Sequence, residues 1–314
     1  MREIIEKLLE KIGKDSSGSV VFDDSAKNPV EIKKENFHDI SGKKTGKKVA
    51  FVDGGNLELL KSPSLSLFFN RIYYTIYQNN KRTKSGKFEF YTLISTENKS
   101  GKLCFSTDYF FTTGKIDIKK YEFDSFDKKL ALGGRRASIS LVGNVIRRFA
   151  ELIVAGTIKA DFVVVDGSLE AAYPHEEELL KKEFYGLSKT TGLLTDNGGS
   201  AAAALSGLTG KKTWYYDAGD VCFVKLHPKS KYIFRLDAGN SVDELLPILQ
   251  ENSKDPVFPG YPYGLVEADK FARVSNREKE MLKMQLEAAA KKDFEKLVPY
   301  IKSMDAHDVL DSVG

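Results

Sequence analysis

Cysteine, tryptophan, histidine and long apolar runs are all scarce in this 314-residue chain, which holds 2 Cys, 1 Trp and 4 His. Cys104 and Cys222 stand alone, without metal-ligand spacing, which excludes a disulfide framework and a cysteine-based zinc site. They suit a reducing compartment and read as inert core thiols. No uninterrupted apolar segment approaches the ~20 residues needed to cross a bilayer. The opening MREIIEKLLEKIG lacks the apolar centre of a signal peptide. The expectation is therefore a cytoplasmic protein with no membrane partner. Charge excess is scarce too: 48 Lys and Arg against 44 Asp and Glu leave +4, which permits a nucleic-acid partner without requiring one. With no internal repeat and no Pro/Gly linker between halves, one elaborated α/β domain is expected.

What the chain does contain begins with an amphipathic helix. Ile4, Ile5, Leu8, Leu9 and Ile12 recur at helical spacing up to Gly13, a face that either packs on its own domain or docks on a partner. Residues 14–48 read as loops and short strands. LSLFFNRIYYTIYQNN and KFEFYTLIS read as two strands joined by a turn at Ser85-Gly86, with GKLCFSTDYFF and KIDIKKYEF extending the β-rich part. The period then changes. Val142, Val145, Ile146, Phe149, Leu152 and Ile153 line one side of a helix over 135–155 that ends near Gly156. Four more apolar segments follow, with a helix at 242–250. DNGGSAAAALSGLTG lacks the spaced Lys-Ser/Thr of a phosphate loop and is expected to be flexible. A helix starts after Pro262, and Ser275 with Glu278 forms a capping box for another, through about Ala290.

One signature occurs twice. VAFVDGG and FVVVDGSLE each run four apolar residues into an Asp-Gly, at Asp53 and at Asp166. A carboxylate leaving water at the end of a buried strand costs several kcal/mol unless it is paired or bound to a metal. If the two strands are adjacent, mutual repulsion calls for positive charge between the carboxylates, and a divalent cation is the strongest candidate. The glycines are expected to turn the backbone and leave room for metal and substrate. The competing reading is an Asp-Gly turn at each site. Asp269 flanks the apolar stripe of its helix whereas Glu267 points the other way; an i,i+4 pair with Arg273 is the plainer role. Glu151 falls opposite the stripe of the 135–155 helix with Arg147 and Arg148 nearby, the pattern of a solvated ion-pair face, and is a ligand only if that helix is covered on both sides.

The element order matches a ribonuclease-H-like α/β fold: an antiparallel three-stranded meander, a crossover helix, then a parallel strand. The residues also resemble the NurA nucleases of DNA end processing. VAFVDGG is similar to that family's first motif and ADFVVVDGSL to its second. GLSKT resembles its lysine-bearing strand, and GYPYGLVEADKFARVS its Tyr-Pro motif and C-terminal helix. The resemblance implies an RNase H-like nuclease domain over 48–290, after a helical and loop-rich extension (1–47) and before a helical tail (291–314). It implies a Mn²⁺- or Mg²⁺-dependent 5′-to-3′ exonuclease and single-strand endonuclease acting on DNA, single-stranded or at duplex ends, with two ions per site. A homodimer working with a HerA-type hexameric helicase is implied as well. Carried over motif by motif, Asp53, Glu151, Asp166 and Asp269 become metal ligands and Lys189 a phosphate-holding lysine. Many relatives carry His where Asp269 stands, and His307 reads as a tail residue. Lys81, Arg82 and Lys84 beside Tyr73, Tyr74 and Tyr77 offer phosphate contacts and base stacking, or the tyrosines fill the sheet; Tyr261 and Tyr263 carry the same two readings. A non-catalytic scaffold of the same fold, an RNA-directed nuclease and a small-molecule phosphoesterase remain alternatives.

Overall fold

The computed structural model describes residues 1–12, 18–22, 27–42, 45–293, 295, 296 and 298; His307 lies outside them. In chain order the elements are α1 (Arg2–Ile12), β1 (Ser19–Val21), β2 (Val30–Glu31), β3 (Phe37–His38), β4 (Lys48–Lys61), β5 (Leu65–Gln78), β6 (Lys81–Lys99), β7 (Lys102–Thr113) and β8 (Glu122–Asp124). After these come α2 (Ile139–Ala155), β9 (Phe162–Asp166), β10 (Phe184–Ser188), β11 (Leu194–Thr195), α3 (Ala201–Leu208), β12 (Trp214–Asp217), β13 (Val221–Lys225) and β14 (Phe234–Ala238). Three helices close the chain: α4 (Leu245–Asn252), α5 (Tyr263–Ala272) and α6 (Asn276–Ala290).

Among the described residues, eleven strands form one sheet in the order β3-β12-β13-β14-β10-β9-β4-β5-β6-β7-β8, and β11-β1-β2 form a small second sheet. The expected meander is β4-β5-β6, antiparallel throughout. The expected parallel strand is β9, which pairs with β4 on one side and β10 on the other. Alternation along β4 splits the core in two. Ala50 and Val52 pack with Val142, Val145, Ile146 and Phe149 of α2, while Val49 and Phe51 join Val164, Leu187, Leu249 and Leu265 on the opposite face. β4 is thus covered by helices on both sides, the condition for burying polar groups at its end.

Five expectations give way. The β5-β6 turn is Asn79-Asn80, both left-handed at φ 51° and 58°, as a two-residue hairpin loop requires. Ser85-Gly86 lies inside β6, because Gly86 sits opposite Tyr74 and a Cβ there would come within 2.7 Å of the tyrosine ring. The Ala-rich segment is the helix α3, capped by Ser200; Ala is the best helix former, and Ala201 and Leu205 bury against Trp214 and Tyr216. Within KIDIKKYEF only β8 is strand, although Ile116, Tyr121 and Phe123 reach the core. Ile4, Ile5, Leu8 and Leu9 of α1 are each more than half exposed, so packing of that face on its own domain is not what the structure has. Of the two thiols, Cys222 is buried but Cys104 only half so.

Helix α5 lies close to β4 because Gly264 has no side chain: a Cβ there would fall 2.0 Å from the fully buried Phe51 ring. Helix propensity alone favours Ala over Gly by about 1 kcal/mol, whereas forcing a methyl into a filled core costs about 1–3 kcal/mol. Gly264→Ala is therefore expected to lower the melting temperature by a few degrees in a thermal scan; a rise would show that α5 is free to shift.

Candidate metal centre

The parallel register pairs Val52 with Val165, so the next residue on each strand, Asp53 and Asp166, emerges side by side at the same end. Asp269 reaches them from α5. One carboxylate oxygen from each of Asp53, Asp166 and Asp269 lies within 4.8 Å of the others. Asp53 is 6% exposed and accepts the Gly54 backbone N–H at 2.7 Å.

The turn reading holds at one of the two sites. After Asp166 the chain does turn, with Gly167 at φ 95°. At Asp53 it does not: β4 continues through Gly54 and Gly55 to Lys61. Those two glycines serve close approach. A Cβ on Gly54 would meet the Glu151 carboxylate at 2.6 Å, and one on Gly55 would meet the Ala272 carbonyl at the end of α5 at 2.3 Å. The space they leave is filled by this chain's own groups, one from each layer.

Glu151 consequently departs from the solvated face its helical position suggested. It is 2% exposed, forms a close ion pair with Arg147, and has Arg148 at 3.6 Å. The expected ion pair exists but is buried, because that flank of α2 lies on Gly54. Glu151 stands behind the three converging aspartates and is not one of the group whose oxygens lie within 4.8 Å. Burial pushes its pKa up, against the pull of Arg147 and Arg148.

The remaining charges are matched pairwise. Asp166 accepts the Tyr261 hydroxyl at 3.0 Å on one oxygen and the Lys189 ammonium at 2.8 Å on the other. Lys189, just past β10, also lies 3.5 Å from Asp269. Burial works against its charge, but the Asp166 hydrogen bond and the charges of Asp166, Asp269 and Asp53 hold its pKa above the ordinary lysine value. Asp269 pairs with Arg273 at 2.8 Å, so the i,i+4 pair and membership of the cluster are both real. Asp53 alone of the four acids has no ion pair among the described residues. Its pKa is pushed up to about 8, first by burial and then by the charges of Glu151 and Asp166. An all-oxygen donor set with one uncompensated, repelled carboxylate suits a hard divalent cation such as Mg²⁺ or Mn²⁺.

Three supporting residues escaped the sequence reading. Arg148, 8% exposed, donates to the backbone carbonyls of Asp166 at 3.2 Å and Ser168 at 2.6 Å, and to buried Glu176 at 3.0 Å. Asp237 accepts the Ser168 hydroxyl and the Leu169 N–H from the other side and is itself held by Arg235 at 2.6 Å. Glu267, expected to face away from the buried stripe, is 4% exposed. It accepts the hydroxyls of Tyr77 at 2.6 Å and Tyr73 at 3.2 Å and pairs with Arg82 at 2.6 Å. Of the two readings of these tyrosines, Tyr73 and Tyr77 take the one that fills the sheet, while Arg82, its side chain 53% exposed, ties β6 to α5 through Glu267. Tyr261 likewise takes the core reading, 2% exposed with its hydroxyl donated to Asp166, whereas Tyr263 remains 43% exposed. Lys81 and Lys84 are exposed and form no ion pair among the described residues.

Comparison with solved structures gives the fold a precedent. The chain superposes on the crystal structure of the NurA nuclease from Sulfolobus solfataricus with a TM-score of 0.52 at 15% identity, covering 93% of this chain and 98% of that one. The fold is the NurA fold. It is of ribonuclease-H-like type, as the strand order indicated. Endonuclease V of Ciona intestinalis, crystallised with a DNA 24-mer containing an inosine followed by a ribo-adenosine, gives a TM-score of 0.41 at 12% identity, over 90% of this chain and all of its own. No protein-family model matches the chain, and no curated protein does. At these identities the likeness to NurA is one of fold, and within it the DGG strand, the second Asp strand and the C-terminal helix meet at one point.

Asp53 holds its proton more tightly folded, at about 8, than at the ordinary value of 3.8. The folded state therefore binds more protons between these values, and the metal-free protein loses stability as pH rises through that window. Asp53→Asn removes the dependence. Its melting temperature should exceed the wild type's by several degrees near pH 8, with the gap closing towards pH 4; a gap independent of pH would contradict the assignment.

Proposed function

We propose that the chain is a metal-dependent DNA nuclease that hydrolyses phosphodiester bonds. The observation that carries this reading is the convergence of Asp53, Asp166 and Asp269, with Asp53 in no ion pair among the described residues, at the mouth of a NurA-type sheet. Asp53, Asp166 and Asp269 would hold the ions, two per site as such chemistry commonly uses, and Glu151 would add negative charge from behind Gly54. Bound Mn²⁺ or Mg²⁺ supplies Lewis-acid stabilisation of phosphoryl oxygens and an acidified water.

The chain's own residues do the positioning. Tyr261 orients Asp166 through one oxygen, leaving the other for a ligand once Lys189 swings away. Lys189, 45% exposed at its side chain, is then free to hold a non-bridging phosphate oxygen as a point charge. Arg148 and Asp237 fix the turn after Asp166, so that carboxylate does not drift when the charges around it change. The finer reading, supported by the motif resemblance, is a 5′-to-3′ exonuclease and single-strand endonuclease in DNA end resection, acting as a homodimer with a HerA-type helicase. One observation favours a non-catalytic scaffold instead: Lys189, Arg147 and Arg273 already neutralise much of the cluster.

The two readings separate in one assay. With Mn²⁺ or Mg²⁺, end-labelled single-stranded DNA and duplex ends should be cleaved, EDTA should abolish cleavage, and Asp53→Asn or Asp166→Asn should reduce it by at least about 100-fold, beyond the loss typical of an outer-shell partner. Cleavage that survives Asp53→Asn would remove this site from the reaction. No cleavage with any divalent metal would favour the scaffold.

A further inference from the structure

At the start of β4, remote from the carboxylates, a cavity of about 590 Å³ opens between the β5-β6 hairpin and the loop joining α2 to β9. Three lysines from three separate segments face it: Lys48 from β4, Lys84 from β6 and Lys159 from the loop. All three are exposed, and none forms an ion pair among the described residues. Among the described residues no carboxylate lines the cavity. Asp161, close by in sequence, accepts the Lys48 backbone N–H at 2.7 Å. The rest of the wall is Tyr74, Phe88 and Ile76 with Gln78, Thr83 and Thr157. The rings of Tyr74 and Phe88 lie 6.4 Å apart, tilted by 31°.

We propose that this cavity is a nucleic-acid backbone site, in which Lys48, Lys84 and Lys159 contact phosphates of the strand flanking the cut. The proposal rests on the nuclease reading for its substrate but not on the metal centre for its geometry. Unpaired ammonium groups gathered around a concave surface with no acidic counterpart favour a polyanion. Tyr74 and Phe88 offer apolar and aromatic surface to the sugars and bases that come with it. A tight site for free phosphate would be built differently. The N–H groups of Thr157 and Ile158 in the wall are spent on the Val154 and Ala155 carbonyls, so these residues provide no amide nest, and no arginine is present to grip one phosphate bidentately. Lys48 precedes Asp53 by five residues on one strand, about 17 Å at about 3.4 Å per residue. That is about five steps along one strand of a duplex, so these lysines would hold flanking nucleic acid and not the scissile phosphate.

The test is fluorescence anisotropy of the full chain with a labelled duplex bearing a single-stranded tail, in EDTA, at salt concentrations from about 50 to 200 mM. The variant Lys48→Ala/Lys84→Ala/Lys159→Ala should bind at least about tenfold more weakly at the middle of that range, with the log–log salt slope smaller by about two to three. A control with the same change in net charge, Lys99→Ala/Lys119→Ala/Lys120→Ala, removes lysines that are paired with Glu122, Glu178 and Asp108 and should keep the wild-type slope. An unchanged slope in the first variant, or an equal loss in the control, overturns the proposal. So does binding of inorganic phosphate that needs the three lysines while the DNA slope stays as in the wild type, since the ligand is then a free phosphate. Cleavage with Mn²⁺ is measured in parallel: if the wild type binds DNA through these lysines but cuts nothing, the nuclease reading fails and the backbone site stands.

Discussion

Asp53 sets the terms for everything around it. An acid that is buried and crowded by two others resists ionisation at neutral pH unless a cation is supplied, and among the described residues none forms an ion pair with it. Its neighbours are provided for: Asp166 has Lys189, Asp269 has Arg273 and Glu151 has Arg147. The result is a site balanced except at one position, where proton and divalent cation compete for the same oxygens. That competition links the fold's stability to pH and its chemistry to metal.

The scaffold that maintains this imbalance is spread over the whole sheet. The parallel register of β4 and β9 brings two aspartates level. Gly54 and Gly55 admit Glu151 on one face and the end of α5 on the other, and Gly264 lets α5 settle on Phe51. Arg148 and Asp237 grip the turn after Asp166 from opposite sides. Glu267, held by two tyrosine hydroxyls and Arg82, anchors α5 over β5 and so sets where Asp269 can reach. The contacts of Arg148, Asp237 and Glu267 are polar groups taken out of water, each with a hydrogen-bond or ion-pair partner as burial requires.

Much of this was legible beforehand, and the failures have a common origin. Period and caps sufficed for the meander, α2, β9 and the capping box before α6, because those signals are local. Asp53 and Asp166 stood out because charge at the end of an apolar run is locally anomalous. What stayed hidden depended on the second covering layer. A helical wheel assumes one buried face, so Glu151 and Glu267 seemed to point to solvent when α2 and α5 in fact bury polar flanks against Gly54 and β5. Gly86 looked like a turn because nothing in its neighbourhood announces a tyrosine ring on the adjoining strand. The Ala-rich stretch looked mobile because its glycines outweighed a short helix that packs on Trp214 and Tyr216. The Arg82 ion pair and the Tyr261 hydrogen bond stayed hidden because their partners, Glu267 and Asp166, lie 185 and 95 residues away.

The central claim is that Asp53, Asp166 and Asp269 share a divalent cation. Anomalous diffraction from a crystal soaked in Mn²⁺ tests it without reference to any substrate. The account predicts a strong anomalous peak within bonding distance of Asp53 and at least one of the other two, with Lys189 displaced from Asp166. A map with manganese bound elsewhere, or Asp53 untouched while Lys189 keeps its place, would contradict it.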